Sequence, residues 1–375
     1  MKISVPRETH PGEHRAPLTP ESAAKLVKLG AELELEAGLG LAAGFSDEAY
    51  AKAGATLTTD RHALLRSGDL ILRLRKPPLD EVPLIRPGSV HASLLDPFNE
   101  KELIEKLAER DISAISMELV PRTTRAQKMD VLSSQANLSG YVAVLLAATH
   151  ANKIFPMMTT AAGTLLPAKV FILGAGVAGL QAIATAKRLG AKVTAYDTRP
   201  VVEEQVKSLG AQFLKIDLGE TGQTKDGYAK ALTEEQIALQ REAMRKVCAD
   251  SDIVVSCAQV FGRRAPILVT SAMLDAMRPG SVVVDLAVES GGIVEGVVYD
   301  AVSDRNGVQI IGLANLPSRV PLHASQVYGG NLVALVTEFW DKKANAFVLN
   351  REDEIIQGCL VTHGGKVVNE KLLSK

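Results

Sequence analysis

Apolar residues along this chain fall into short unbroken runs, separated by stretches where they recur every three or four positions. Runs at 70–74, 89–94 and 112–117, and later at 169–173, 192–196, 253–256, 281–286 and 308–311, read as strands. Segments at 47–55, 100–109, 177–189, 203–209 and 329–340 carry the helical period. Thr19-Pro20-Glu21 supplies a cap, a proline at the first helical position and an early acid, and Gly30 ends that helix. Only 31–36 alternates apolar and acidic residues, as a half-buried strand does. The strands from 169 onward read largely as continuous apolar runs, the pattern of a parallel sheet covered on both faces. The alternation predicts an α/β chain of two doubly wound parallel-sheet (Rossmann-like) domains separated by a cleft. The first would comprise 1–133 completed by 320–375, and the second 134–319, with the crossings at a long helix from about Ser134 and at 320–329.

Composition narrows the class. The 375 residues are 46% hydrophobic and 23% charged with net charge −1, which leaves no electrostatic footprint for nucleic acid or an anionic membrane. Cys248, Cys257 and Cys359 are scattered, which points away from a disulfide framework or a zinc site and toward a reducing cytoplasm. The N-terminus lacks the basic stretch and apolar core of a signal peptide. The most apolar helical run, 141–151, is about ten residues where a bilayer takes roughly 20, so the chain is not expected to cross a membrane by itself. Residues 155–167 are punctuated by Pro and Thr and read as a connection, and 362–365 as a turn.

The clearest chemical signal follows the run Val170-Phe171-Ile172-Leu173. Gly174-Ala175-Gly176-Val177-Ala178-Gly179 opens a helix, and the next strand ends in Asp197. That order is the dinucleotide fingerprint. Gly174 allows the tight turn, Gly176 lets backbone reach a pyrophosphate, and Gly179 lets helix and strand pack closely. Asp197 would hydrogen-bond the ribose hydroxyls and repel a 2′-phosphate, favouring NAD(H); Arg199, two residues on, is the opposing signal. Ala258 follows another strand and is a candidate to line the cofactor, whereas Glu289 would cap a turn at Gly291-Gly292.

The densest polar stretch runs from Arg122 to Tyr141 and includes Gln127, Asp130 and Ser133. Fixed amide, hydroxyl and guanidinium groups suit a nicotinamide, which needs orientation rather than a nucleophile. The same composition would serve a solvated linker. Residues 217–230 are rich in Gly, Thr and charge, with a lone Tyr228 after Gly227, and read as a lid or a surface loop.

The Arg-Ala-Gln-x-Met-Asp-x-Leu-Ser-Ser-Gln run at 125–135, with residues 174–179 and 227–230, resembles the NAD(H)-binding component (domain I of the alpha subunit) of proton-translocating NAD(P) transhydrogenases. The resemblance extends over essentially the whole chain. It implies direct hydride transfer between NAD(H) held here and NADP(H) on a separate component, a transmembrane component coupling the transfer to protons, a homodimer, and a peripheral place on the inner face of the cell membrane. By the same resemblance Arg122, Gln127, Asp130 and Ser133 match nicotinamide-site residues. Val177, Asp197 and Gly227 match nucleotide contacts, and Tyr228 the tip of a mobile loop. The chain is also similar to alanine dehydrogenases in Val5-Pro6-Arg7-Glu8 and His14-Arg15-Ala16-Pro17-Leu18-Thr19-Pro20. Those enzymes carry a substrate-binding lysine ahead of a proline and a catalytic histidine after the next strand. Here Arg75 stands at the lysine's place, with Lys76 displaced by one, and Ser93-Leu94-Leu95-Asp96 has no histidine. His91 lies too early and reads as structural. A deaminating dehydrogenase needs a proton-transfer group at the substrate carbon; transfer between two nicotinamide rings needs none.

Overall fold

The computed structural model of the protein describes residues 1–219, 232–259, 262 and 266–373. They form two compact units, Met1–Gln135 with Ser318–Lys375, and Ala136–Pro317. The chain is α/β, with a large, mostly parallel sheet in each unit.

In the first unit eight strands lie in the order Lys366–Val367, Leu360–His363, Ser113–Ser116, Val90–Ser93, Leu70–Leu72, Lys2–Val5, Glu32–Glu36, Thr56–Thr58. The last six in that order are parallel, while Leu360–His363 runs antiparallel to Ser113–Ser116. Strands Val90–Ser93 and Ser113–Ser116 are buried at every position, His91 included. The Thr19 hydroxyl accepts from the Ser22 N–H at 3.2 Å and so caps helix Pro20–Lys28, which buries Ala23 and Leu26; such a cap contributes about 1 kcal/mol.

The second unit's seven strands lie in the order Gln212–Phe213, Lys192–Tyr196, Lys169–Leu173, Ile253–Ser256, Val282–Asp285, Val308–Ile311, Val302–Arg305. Phe171, Leu173, Val254, Met273, Val283 and Ile310 share its core. The order reverses between Lys169–Leu173 and Ile253–Ser256, and doubly wound sheets bind ligands beyond the strand ends at such a reversal.

The structure departs from the sequence pattern in several places. Helix Glu234–Asp250 is not read from the pattern, and the helix expected at 329–340 is Pro321–Glu338, which Pro321 starts at its first position. The long helix is Val131–His150, 20 residues, and starts before Ser134 because Asp130 caps it: Oδ1 accepts from the Ser133 N–H at 2.8 Å. The helix is therefore about twice as long as the apolar run read from the pattern, with Ser133, Ser134, Gln135, Asn137 and Ser139 in its first half. By length and composition this helix is apolar enough to cross a membrane, although Val142, Ala143, Val144 and Ala147 are buried within the protein. Residues between Phe155 and Pro167 form a two-stranded hairpin, Met158–Thr160 with Gly163–Leu165, exposed at every strand position. Val302–Arg305 adds an antiparallel edge strand that its polar, partly exposed sequence hid.

Candidate active site

Strand Lys169–Leu173 delivers the chain into Gly174, whose φ of +88° an L side chain rarely adopts. A Cβ there would also lie 2.9 Å from the Ala258 nitrogen, so glycine lets the ends of two neighbouring strands close together. A Cβ at Gly179 would collide with the carbonyl oxygen of Gly174. Gly176 is different: nothing stands within 4 Å of where its Cβ would be. It is the N-cap of helix Val177–Arg188 and offers no side chain to accept the first N–H groups, and Val177 behind it is 39% exposed. Open space, uncapped N–H groups and a positive dipole end form a cradle that fits a dinucleotide pyrophosphate. Gly140 of the long helix packs against the carbonyl of Ala178, where any larger residue would clash, and so supports the same turn.

Strand Lys192–Tyr196 ends at Asp197, beside this cradle. Its Oδ2 accepts from the Ala175 N–H at 2.8 Å, and its Oδ1 from the Arg199 N–H at 2.9 Å. The Arg199 guanidinium adds Nε to Oδ1 at 2.9 Å and Nη2 to Oδ2 at 2.8 Å, which drives its own pKa upward. Arg199 is thus the ion-pair partner of the carboxylate, and both side chains are largely buried.

Beyond the neighbouring strands, Ala258 faces Gly174, and the Gln259 amide donates to the carbonyl of Leu286. Asp285 shapes the loop that follows its strand by accepting from the N–H groups of Ala287 (2.8 Å), Ile293 (2.8 Å) and Val294 (3.0 Å). Burial raises its pKa while those three donors oppose the shift. Glu289 reaches past Gly291-Gly292 and accepts from the Asn315 N–H at 3.2 Å. Burial and the nearby Asp285 hold Cys257 as a thiol.

In the first unit, Pro121, Arg122, Ala126, Gln127, Asp130 and Ser133 line one cavity of about 320 Å³. The segment is anchored by the buried Ala126 and Met129 and tightens into a 3-10 turn at Gln127–Met129. Asp130 spends both oxygens on Ser133, Oδ1 on its N–H and Oδ2 on its hydroxyl at 2.6 Å. Two supports of this segment come from outside the 125–135 run. Arg125 pairs with Glu338 at 2.8 Å and with Asp353, and Asn331 meets both Lys128 and Ser134. An asparagine set directly before the apolar run Leu332–Val336 is the available signal for the second.

The alanine-dehydrogenase-like positions are taken up internally. Arg15 holds Glu13 through Nε at 2.7 Å and Nη2 at 2.6 Å, and Arg75 adds Nε at 2.9 Å. Burial works against ionisation of Glu13, yet the two guanidinium groups bring its pKa down to about 2. Lys76 pairs with Glu100. His91 is fully buried, its Nε2 3.0 Å from the Ser93 hydroxyl, and burial together with the Arg73 charge lowers its pKa to about 3. Gly227 and Tyr228 lie outside the described residues.

Residues 4–139 match the family described as "Alanine dehydrogenase/PNT, N-terminal domain", and residues 143–370 match "Alanine dehydrogenase/PNT, C-terminal domain". The chain is 43% identical over 379 residues to an NAD(P) transhydrogenase subunit alpha polypeptide of Rhodospirillum rubrum, covering 99% of each. It is 29% identical over 333 residues to alanine dehydrogenase of Bacillus subtilis, covering 86% of this chain and 81% of that one. The crystal structure of transhydrogenase from Sinorhizobium meliloti superposes with a TM-score of 0.89 at 44% identity, over 98% of this chain and 100% of that one. With this fold, this cradle and these relatives, the chain belongs to the alanine dehydrogenase/PNT family, and within it to the NAD(P) transhydrogenase alpha subunits, with alanine dehydrogenases as more distant kin.

Proposed function

We propose that this chain is the NAD(H)-binding catalytic component of a proton-translocating NAD(P) transhydrogenase and passes hydride directly between NAD(H) held here and NADP(H) on a separate component. Bound NAD(H) supplies the hydride chemistry. The chain's own residues bind and orient: Gly174, Gly176 and Gly179 with the N–H groups at Val177 would receive the pyrophosphate, Asp197 the ribose hydroxyls, and Ala258 would line the cofactor. Arg122, Gln127, Asp130 and Ser133 would hold the nicotinamide. The observation that carries this reading is their shared cavity. Among the described residues that line it, the one carboxylate, Asp130, is committed to Ser133, and there is no histidine or lysine. A site so built positions a ring at the 3–3.5 Å that hydride transfer needs and is poorly equipped to move the proton that deamination requires.

The deciding experiment measures hydride transfer with and without a purified NADP(H)-binding component. Transfer that appears only with that component supports the reading. Alanine-dependent reduction of NAD by the isolated chain overturns it in favour of an amino-acid dehydrogenase.

The partners follow from the same reading: a second copy of this chain, the NADP(H)-binding component and a transmembrane component, with this chain peripheral on the inner face of the cell membrane. The exposed hairpin supports the homodimer. Met157 (65% exposed), Met158 (46%), Leu165 (49%) and Leu166 (68%) present apolar surface around a two-stranded sheet with open edges, suited to cover by a second copy.

A further inference from the structure

The cavity residues sit on a short loop, and something must hold that loop still. Arg125 pins its outer side, but the arginine of that ion pair is 42% exposed. The inner side is held by Asn331, which lies within helix Pro321–Glu338 and is only 7% exposed. Its Nδ2 donates to the carbonyl of Lys128 at 2.8 Å, inside the Gln127–Met129 turn. Its Oδ1 accepts from the Ser134 hydroxyl at 2.8 Å, in the first turn of helix Val131–His150. One planar amide therefore spans the 3-10 turn and the helix start on either side of Asp130. Next along the helix, Gln135 donates to the carbonyl of Ala324 at 3.2 Å and accepts from Arg15 at 2.8 Å, so the same two helices are strapped twice. The residue type is otherwise hard to account for. Asparagine is a poor helix former, and a leucine or alanine there would suit the buried, apolar neighbours Leu332 and Leu335.

We propose that Asn331 is a positioning residue for hydride transfer: by tying the Lys128 carbonyl to Ser134 it fixes Gln127, Asp130 and Ser133 in one arrangement around the cavity. The inference rests on the reading of that cavity as the nicotinamide site. It adds that the arrangement is set from a helix whose Asn331 does not line that cavity. Each arm has a distinct consequence. Losing the bond to Lys128 frees the turn that carries Gln127, whereas losing the bond to Ser134 leaves that hydroxyl its second partner, the Val131 carbonyl at 3.1 Å.

The test uses the complex of this chain with its NADP(H)-binding component, and compares single-turnover hydride transfer with equilibrium NADH titration. Asn331→Asp keeps the acceptor for Ser134 but loses the donor to Lys128. It is expected to slow transfer at least roughly tenfold while the NADH dissociation constant stays within roughly threefold. Ser134→Ala, removing the other arm, is expected to slow transfer by no more than roughly threefold. The decisive measurement is the double variant. If Asn331 acts through the placement of Gln127, adding Gln127→Asn to Asn331→Asp costs far less than the product of the two single effects. Independent, multiplicative losses, or a loss of NADH affinity matching the loss of rate, would overturn the proposal and leave Asn331 a structural bond. Failure of the site reading looks different, because Gln127→Asn alone would then leave transfer intact.

Discussion

Arg199 lies along the carboxylate of Asp197, with Nε 2.9 Å from Oδ1 and Nη2 2.8 Å from Oδ2. On the proposed assignment, the acid that would repel a 2′-phosphate thus also occupies the cation best suited to bind one. NADH is expected to bind far more tightly than NADPH. Asp197→Ala should narrow the gap from both sides, since it removes the ribose acceptor and releases the Arg199 guanidinium for a phosphate. Titration of both nucleotides against both proteins checks this, and equal affinities in the native protein would refute the assignment.

Gln127 stands at the first position of the 3-10 turn and lines the cavity. Gln127→Asn withdraws the amide by one methylene without adding charge. Transfer should slow at least roughly tenfold, while the NADH dissociation constant moves less than roughly threefold, under about 0.7 kcal/mol. Stopped-flow transfer beside NADH titration separates the two. A large loss of affinity with an intact saturated rate would make Gln127 a binding contact only.

Asp130 has a structural task distinct from any chemical one. Asn caps a helix as well as Asp, so Asp130→Asn should leave thermal stability nearly unchanged, whereas Asp130→Ala should cost about 1 kcal/mol. Denaturant titration of both variants tests this; equal losses would mean that the charge, rather than the cap, matters to the helix.

His91 predicts a pH dependence of stability. Its folded pKa of about 3 lies far below the usual 6.5, so only the unfolded chain takes up the proton between those values. Stability therefore falls as pH drops below 6.5, and this group alone should remove roughly 2 kcal/mol between pH 7 and pH 5. Unfolding at the two pH values, with the non-titrating His91→Gln for comparison, should show a shallower decline in the variant. An unchanged decline would mean that His91 is not buried neutral.

The hairpin predicts an assembly state. Met158→Glu with Leu165→Glu puts charge on surface exposed within the single chain, so the fold should persist while the dimer dissociates. Light scattering reads the mass. A dimer that survives both substitutions must bury some other face.

Much of the fold and of the site is legible in the sequence, for reasons that differ by residue. The glycine turn can be read because Gly174 and Gly179 stand where a side chain would be strained or would clash, and Asp197 because a strand end is a defined position. The βα alternation can be read because covered strands are mostly apolar or small residues. The exact helix start cannot: Ser133 looks like a loop residue until Asp130 is seen to cap it, and Ser134 and Gln135 give no sign of the bonds that Asn331 and Arg15 make to them. The hairpin is hidden because none of its strand residues is buried, so no alternation marks them. Asn331 escapes notice because its partners lie some 200 positions away in the chain.

The first unit is discontinuous, and this has a consequence for how the protein is made. Strand Leu360–His363 and helix Pro321–Glu338 belong to it, yet both are synthesised after the whole of Ala136–Pro317. At about 5–20 residues per second, that intervening segment takes roughly 10–40 s to emerge. Until then strand Ser113–Ser116 has no neighbour on its outer side and Lys128 has no Asn331 to bind. On the ribosome unit Ala136–Pro317 is therefore finished first, while the earlier-made strands wait with an open sheet edge within reach of chaperones or a neighbouring nascent chain.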